Sequence, residues 1–154
     1  MSEISKVTAS RQVPAAPQEI FDLLSNPERH AETDASGSVV STDKGERLKK
    51  VGDTFRMNMV KGDGSEYQTE NEVFAFVENR VIGWKNLRNL TSEVEVGAKW
   101  LYELEPIDAE NTQLSLNYDP TEIENPQVQA LAKEKFAVES NLEASLAAIA
   151  EALA

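Results

Sequence analysis

Alternation of apolar and polar residues marks residues 4–13 and dominates the middle of the chain, between Gly37 and Tyr118. Because successive side chains of a β-strand point to opposite faces, this pattern is typical of strands buried on one side. It predicts strands over residues 4–13, 39–40, 54–60, 66–77, 81–87, 99–104 and 113–118. Residues 61–64, 78–80 and 108–111 are polar and short enough to be turns, so we predict an antiparallel meander. Residues 88–98 combine loop-like residues with a weak strand pattern over 93–96, and the pattern leaves them unplaced.

Proline marks the predicted start of three helices, at positions 17, 27 and 126. Proline suits the first turn of a helix, where no backbone N–H is needed. We therefore predict a short helix after Pro17, a second over residues 27–32, and one uninterrupted terminal helix over residues 127–154. At 100° per residue, the apolar side chains of the terminal helix form a single stripe that we expect to pack on the sheet. This stripe contains Val128, Leu131, Val138, Leu142, Leu146, Ile149 and Leu153.

Composition narrows the class of protein. A chain of 154 residues with 40% apolar and 27% charged residues fits one folded domain, here predicted as α+β over residues 1–154. The net charge of −12 disfavours nucleic acid as a partner. No apolar stretch approaches the ~18 residues of a membrane span, so we expect no membrane insertion and a cytoplasmic location. With no cysteine and a single histidine, we expect no metal and no cofactor.

Four segments carry a resemblance to a known family. They are VPAAPQEIFDLLSNPERHAETDASGSV (13–39), ENRVIGWKN (78–86), AKWLYELEP (98–106) and TQLSLNYD (112–119). Together with the element order, they resemble the polyketide cyclase/dehydrase and lipid-transport branch of the START-like (SRPBCC) superfamily. The resemblance implies a helix-grip fold, in which a curved sheet of six to seven strands wraps a long C-terminal helix. One departure is Thr33, followed by Asp34, where many relatives carry Trp.

In such a fold, incomplete filling between sheet and helix leaves a cavity lined by alternate strand residues. The alternation assigns inward positions to two tryptophans, two methionines and three other aromatic residues, which either fill the core or line a partly open pocket. On residues 66–77, Thr69 and Asn71 face the same pocket, unless the strand is an exposed edge or a bulge near Phe74 reverses its faces. The inward aromatic and methionine residues are Phe55, Met57, Met59, Trp84, Trp100, Tyr102 and Tyr118.

Three polar residues are candidate catalytic groups: His30, Asn71 and Tyr102. A histidine titrates near neutral pH and suits proton transfer. However, no second catalytic group has a spacing that demands His30, so we interpret it as a surface residue near a helix end. A metal site at Glu32 and Asp34 is disfavoured because acidic clusters arise freely in a chain with 27 acidic residues.

Lys135 lies near the centre of the otherwise apolar stripe of the terminal helix. A buried unpaired ammonium is costly, so its charge must reach water, a carboxylate or an anionic ligand. Either the stem covers apolar surface while the charge stays in solvent, or Lys135 anchors a ligand at the pocket mouth.

The function predicted from the sequence is binding or carriage of a small hydrophobic molecule, such as a lipid, an aromatic metabolite or a polyketide-like compound. One alternative is a cyclase or dehydratase that uses polar cavity residues. Another is a protein–protein interaction module. The chain is expected to be a monomer or a homodimer.

Overall fold

The structure, a computed structural model, describes residues 5–30, 39–42, 47–60 and 63–153, without the side chains of residues 39–42 and of Lys135. Eight strands form one antiparallel sheet: β1 (Val7–Val13), β2 (Val39–Thr42), β3 (Thr54–Val60), β4 (Glu66–Val77), β5 (Val81–Asn89), β6 (Val94–Glu95), β7 (Lys99–Asp108) and β8 (Asn111–Asp119). The order across the sheet is β1-β8-β7-β5-β4-β3-β2, and the two-residue β6 pairs with β5 off this path. The meander and the helix-grip arrangement are confirmed.

The helices lie on one side of the sheet. Helix α1 (Pro17–Leu24) and a 3₁₀ helix (Pro27–Arg29) follow β1, and α2 (Pro126–Leu131), a π-helical segment (Ala132–Phe136) and α3 (Glu139–Ala152) follow β8. Two of the predicted cap-plus-proline starts have a capping asparagine. Asn26 accepts a hydrogen bond from the Glu28 amide at 3.2 Å, and Asn125 accepts one from the Gln127 amide at 2.8 Å. The second predicted helix is a 3₁₀ helix, and the end predicted for it, residues 31–32, lies outside the described residues.

The uninterrupted terminal helix was wrong. The backbone leaves the helical conformation at Ala137, and Val138 is extended with φ −127° and ψ 125°. The break separates α2, none of whose residues is buried, from α3, which buries Leu142, Leu146 and Ile149 and packs against β1 and β8. Tertiary packing here overrides the helix propensity of an alanine-rich sequence. The predicted stripe therefore does not lie on one continuous helix.

Residues 88–98, which the sequence did not place, connect β5 to β7. β5 continues to Asn89, a turn follows, and β6 covers Val94–Glu95. Gly97 then adopts φ +100°, and a Cβ there would lie 2.9 Å from the carbonyl oxygen of Glu122. Only glycine fits this close approach without strain. The Glu122 carboxylate also forms ion pairs with Lys85 and Lys99, which fixes the loop after β8 against the sheet.

Most of the core lies between the concave face of the sheet and the helices. Its largest fully buried side chains come from α1, from α3 and from β1, β3, β5 and β8; they include Ile20, Leu23, Phe55, Ile82, Leu114, Leu116, Leu142, Leu146 and Ile149. Within the part of the chain that the structure describes, no helix is long and apolar enough to cross a membrane.

Candidate functional site

A cavity of about 660 Å³ lies between the concave face of the sheet and the helices. Its walls come from β3, β4, β5, β7 and β8, from α1 and the residue after the 3₁₀ helix, and from α2, the π-helical segment and α3. Nine of the ten residues predicted to bind ligand line it: Phe55, Met57, Met59, Thr69, Asn71, Trp84, Trp100, Tyr102 and Tyr118. The side chain of the tenth, Lys135, lies outside the described residues.

Strand alternation explains why these side chains share one surface. Phe55 and Met57 are buried on β3, whereas Arg56 between them is exposed. The pairing of β4 with β5 is irregular at two places, between Glu70 and Asn71 and, near the position that the sequence suggested, between Val73 and Ala75. Thr69 and Asn71 both line the cavity despite these irregularities.

Four polar side chains form a hydrogen-bonded chain along the cavity wall. The Trp100 indole Nε1–H donates to Asn86 Oδ1 at 2.9 Å, and Asn86 Nδ2 donates to Asn71 Oδ1 at 2.5 Å. Asn71 Nδ2 then donates to Thr69 Oγ1 at 3.4 Å and to the Phe55 carbonyl at 3.5 Å. Because indole is only a donor, it fixes the orientation of both amides in turn. We name this series the amide chain: Trp100, Asn86, Asn71 and Thr69.

His30 is buried, so its interpretation as a surface residue was wrong. Only 7% of it is exposed, and its ring lies flat against Trp84 and edge-on to Phe55. Its Nε2 donates to the carbonyl of Leu24 at 2.8 Å. The 3₁₀ helix after Asn26 turns the chain back over the sheet, and this turn brings His30 to the cavity. A single histidine after a short helix carries no sequence signal that reveals such burial.

Burial also determines the charge of His30. Desolvation lowers its pKa from 6.5 to about 4, against the opposing effect of the hydrogen bond to Leu24. The imidazole is therefore neutral at physiological pH. A base with such a low pKa is poorly matched to proton transfer near pH 7.

Tyr118 presents a different kind of polar group. The residue is 1% exposed and lines the cavity, and its ring packs against Trp100 and Phe136. Its hydroxyl has no hydrogen-bond partner among the described residues, and no side-chain nitrogen or oxygen atom there is both unpaired and inaccessible to solvent. The hydroxyl therefore borders the cavity space. Burial raises the pKa of Tyr118, so this hydroxyl is a neutral donor.

Several lining residues were not predicted. Asn86 follows Ile82 and Trp84 at period two on β5, so the alternation already contained the signal for it. Phe136 and Ser145 were also missed; they lie on either side of the break in the terminal helix, which the sequence analysis did not predict. Ala98 and Val96 belong to the stretch that the sequence left unplaced.

Within the described ranges, no three His, Asp or Glu side chains come together in a group suited to a metal ion. Glu32, Thr33 and Asp34, which the sequence analysis discussed, lie outside those ranges.

Comparison with known proteins agrees with the helix-grip fold. The family model for polyketide cyclase / dehydrase and lipid transport matches residues 5–154, and the chain therefore belongs to that family. An uncharacterized protein of Mycobacterium tuberculosis is 28% identical over 114 residues, which are 74% of this chain and 47% of that relative. The match thus spans about half of the relative's length.

Solved structures share the fold at low sequence identity. Protein NE0264 from Nitrosomonas europaea superposes with a TM-score of 0.70 at 13% identity, covering 99% of this chain and 96% of that one. The Zhui aromatase/cyclase from Streptomyces sp. R1128 gives a TM-score of 0.62 at 18% identity, covering 96% and 92%. The di-domain aromatase/cyclase StfQ of the steffimycin pathway gives 0.65 at 14% identity, covering 95% of this chain and 44% of that one.

Proposed function

We propose that this protein binds and carries a small, largely apolar molecule in the cavity between the sheet and the helices. The observation that carries the proposal is the cavity itself, which has a volume of about 660 Å³ and a wall rich in aromatic and methionine side chains. Ligand pockets of proteins are typically about 300–1,000 Å³ and mostly apolar, with a few placed polar groups. The amide chain and Tyr118 supply such groups.

The apolar wall of the cavity favours an apolar ligand over water as the molecule that fills it. Trp84, Trp100 and Met59 are only partly buried within the fold, and all three line the cavity. Covering apolar surface contributes roughly 25 cal/mol per Å². A ligand that covers these side chains thus gains affinity from surface that the fold leaves incompletely packed.

The experiment is native mass spectrometry of freshly purified protein, followed by solvent extraction of any bound molecule. Ala132→Phe is the blocking variant, because Ala132 is buried and lines the cavity. Ala130→Phe is the matched control, because Ala130 is exposed and does not line it. We expect the co-purified ligand, and saturable binding of an added apolar dye, to be lost in Ala132→Phe and retained in Ala130→Phe. Failure of the wild-type protein to bind any of a varied set of apolar ligands would refute the proposal.

A cyclase or dehydratase is the second candidate function, and one observation favours it. All three candidate catalytic residues, His30, Asn71 and Tyr102, line the same cavity. The low pKa of His30 and the engagement of Asn71 in the amide chain both favour a binding role over proton transfer. Turnover of a reactive polyketone that is abolished by His30→Gln, with folding intact, would support the enzyme.

A further inference from the structure

Five of the hydrogen-bonding side chains that line the cavity form a row across four neighbouring strands: Tyr118 and the four members of the amide chain. Tyr118 on β8 pairs with Trp100 on β7, and Asn86 on β5 pairs with Asn71 on β4. Between β7 and β5, the indole of Trp100 is hydrogen-bonded to Asn86. Neighbouring strands are about 4.8 Å apart, so the three steps from β8 to β4 span about 14 Å at the backbone.

At the β4 end, the row offers hydrogen-bond donors. The Oδ1 atoms of Asn86 and Asn71 already accept bonds from within the amide chain. Asn71 Nδ2 makes only the two long contacts of 3.4 and 3.5 Å, at the limit of hydrogen bonding, although the residue is 2% exposed. Thr69 Oγ1 is the acceptor of one of these, which leaves its own proton to donate.

At the β8 end, the Tyr118 hydroxyl is also a donor. It borders the cavity and has no partner among the described residues, although Tyr118 is only 1% exposed. A buried hydroxyl left unpaired costs free energy, and an accepting atom of a ligand would remove this cost.

Between the ends, the wall is uncharged. The cavity residues that the structure describes include no Asp, Glu, Lys or Arg side chain. A charged ligand would leave water without finding a counter-charge there, whereas a carbonyl or ether oxygen needs only the donors present.

We infer that the cavity selects an elongated, uncharged ligand with a hydrogen-bond-accepting oxygen at each end, one held by Tyr118 and the other by Thr69 and Asn71. The inference rests on the proposed function and specifies its ligand class. It makes the Tyr118 hydroxyl and the Thr69 hydroxyl determinants of specificity, because each meets only one end of the ligand.

Three rod-shaped probes test it by isothermal titration calorimetry: biphenyl, para-acetylbiphenyl and para,para′-diacetylbiphenyl. They share one apolar core and differ only in the number of terminal carbonyl oxygens. A neutral hydrogen bond contributes enough for about a 3- to 10-fold change in affinity. For the wild-type protein, we expect each added carbonyl to tighten binding by about this factor.

The variants Tyr118→Phe and Thr69→Val each remove one hydroxyl and keep the shape of the side chain. Each should weaken binding of the diketone about 3- to 10-fold. The monoketone can turn end for end, so either single variant should change its affinity less than twofold. Only the double variant should weaken it further, toward the affinity of biphenyl, because Asn71 Nδ2 then remains as the only donor at the β4 end of the row. Binding of biphenyl should not change in any variant. Thermal unfolding provides a folding control for each variant.

Several outcomes would overturn the inference. Diketone binding no tighter than biphenyl binding would do so, as would equal losses for all three probes in Tyr118→Phe. Tighter binding of para-biphenylcarboxylate than of its methyl ester would contradict an uncharged ligand. If biphenyl binds saturably while the carbonyl effects are absent, the inference fails and the proposed function stands. If no probe binds and no other apolar ligand does, the proposed function fails too.

Discussion

His30 stacks on Trp84, with ring centroids 4.7 Å apart and planes inclined by 21°. The stack places the only histidine of the chain inside the aromatic wall of the cavity, where its Nε2 donates to the Leu24 carbonyl. Protonation would bring a positive charge into this buried position, and burial opposes it. Folding is therefore linked to the titration of His30.

The first prediction is a loss of stability in mild acid. The pKa of His30 is about 4 in the folded protein and about 6.5 when exposed, so between these values the unfolded state binds more protons. Neutral His30 therefore contributes up to about 3 kcal/mol to the free energy of unfolding. This contribution is fully present above pH 6.5 and is lost as the pH falls toward 4. The free energy of unfolding, measured with urea, should be about 2 to 3 kcal/mol lower at pH 4.5 than at pH 7 because of His30 alone.

His30→Gln is the matched variant for this prediction. Glutamine keeps an N–H donor but does not titrate in this range. Subtracting its pH dependence from that of the wild-type protein cancels contributions from the acidic surface, because both proteins share it. Parallel curves for the two proteins would contradict the assigned burial of His30.

The strands were largely predictable, because a strand buried on one face and exposed on the other has alternating apolar and polar residues. β3 and β4 begin and end where the alternation does, and the inward set on them is the set that lines the cavity. His30 and Phe136 were not predictable in this way. Each lies next to an interruption of regular structure, His30 directly after the 3₁₀ helix and Phe136 directly before the break at Ala137, where neither the strand alternation nor the predicted continuous helix applies.

The second prediction concerns Asn86, which holds the amide chain together. Asn86→Leu would leave both the Trp100 indole N–H and Asn71 Oδ1 without their partner. Unsatisfied groups of this kind cost about 1–3 kcal/mol each when buried. Both bonds are only part-buried and border the cavity, where water can partly replace the lost partner, so we expect a total loss of about 1 to 3 kcal/mol in the free energy of unfolding. Chemical denaturation measures it.

Asn117→Leu is the control for Asn86→Leu. Asn117 also lies on a strand and bonds to neighbouring side chains, but its bonds with Thr8 and Glu103 are exposed. Water can replace such partners, so its loss should stay below about 1 kcal/mol. Similar losses of unfolding free energy in the two variants would show that the amide chain stabilises the fold no more than an exposed pair of hydrogen bonds does.

The third prediction tests the break in the terminal helix. An uninterrupted helix would place Leu131 and Leu142 on one buried stripe, whereas in the structure Leu131 is 44% exposed and Leu142 is fully buried. Leu142→Ala should therefore cost about 2–5 kcal/mol of unfolding free energy, and Leu131→Ala less than about 1 kcal/mol. Comparable costs in urea unfolding would favour the continuous helix.

The last prediction concerns Lys135, whose backbone belongs to the π-helical segment between two cavity residues, Ala132 and Phe136. The sequence left two roles open for it: a stem that covers apolar surface with its charge in solvent, or an anchor for an anionic ligand. We expect the first, since a lysine in solvent does not need a partner from the ligand. Lys135→Met keeps a similar apolar stem and removes the charge.

Calorimetry with para-biphenylcarboxylate and its methyl ester separates the two roles. If the charge stays in solvent, both probes should bind Lys135→Met about as tightly as they bind the wild-type protein, with stability unchanged or higher. If Lys135 is an anchor, the variant should lose about 1.5–3 kcal/mol of affinity for the carboxylate, the range for a hydrogen bond to a charged group, and none for the ester. The second result would also show that Lys135 adds a positive charge to a cavity whose described lining residues include no Asp, Glu, Lys or Arg side chain. The carboxylate of a ligand would then have a partner.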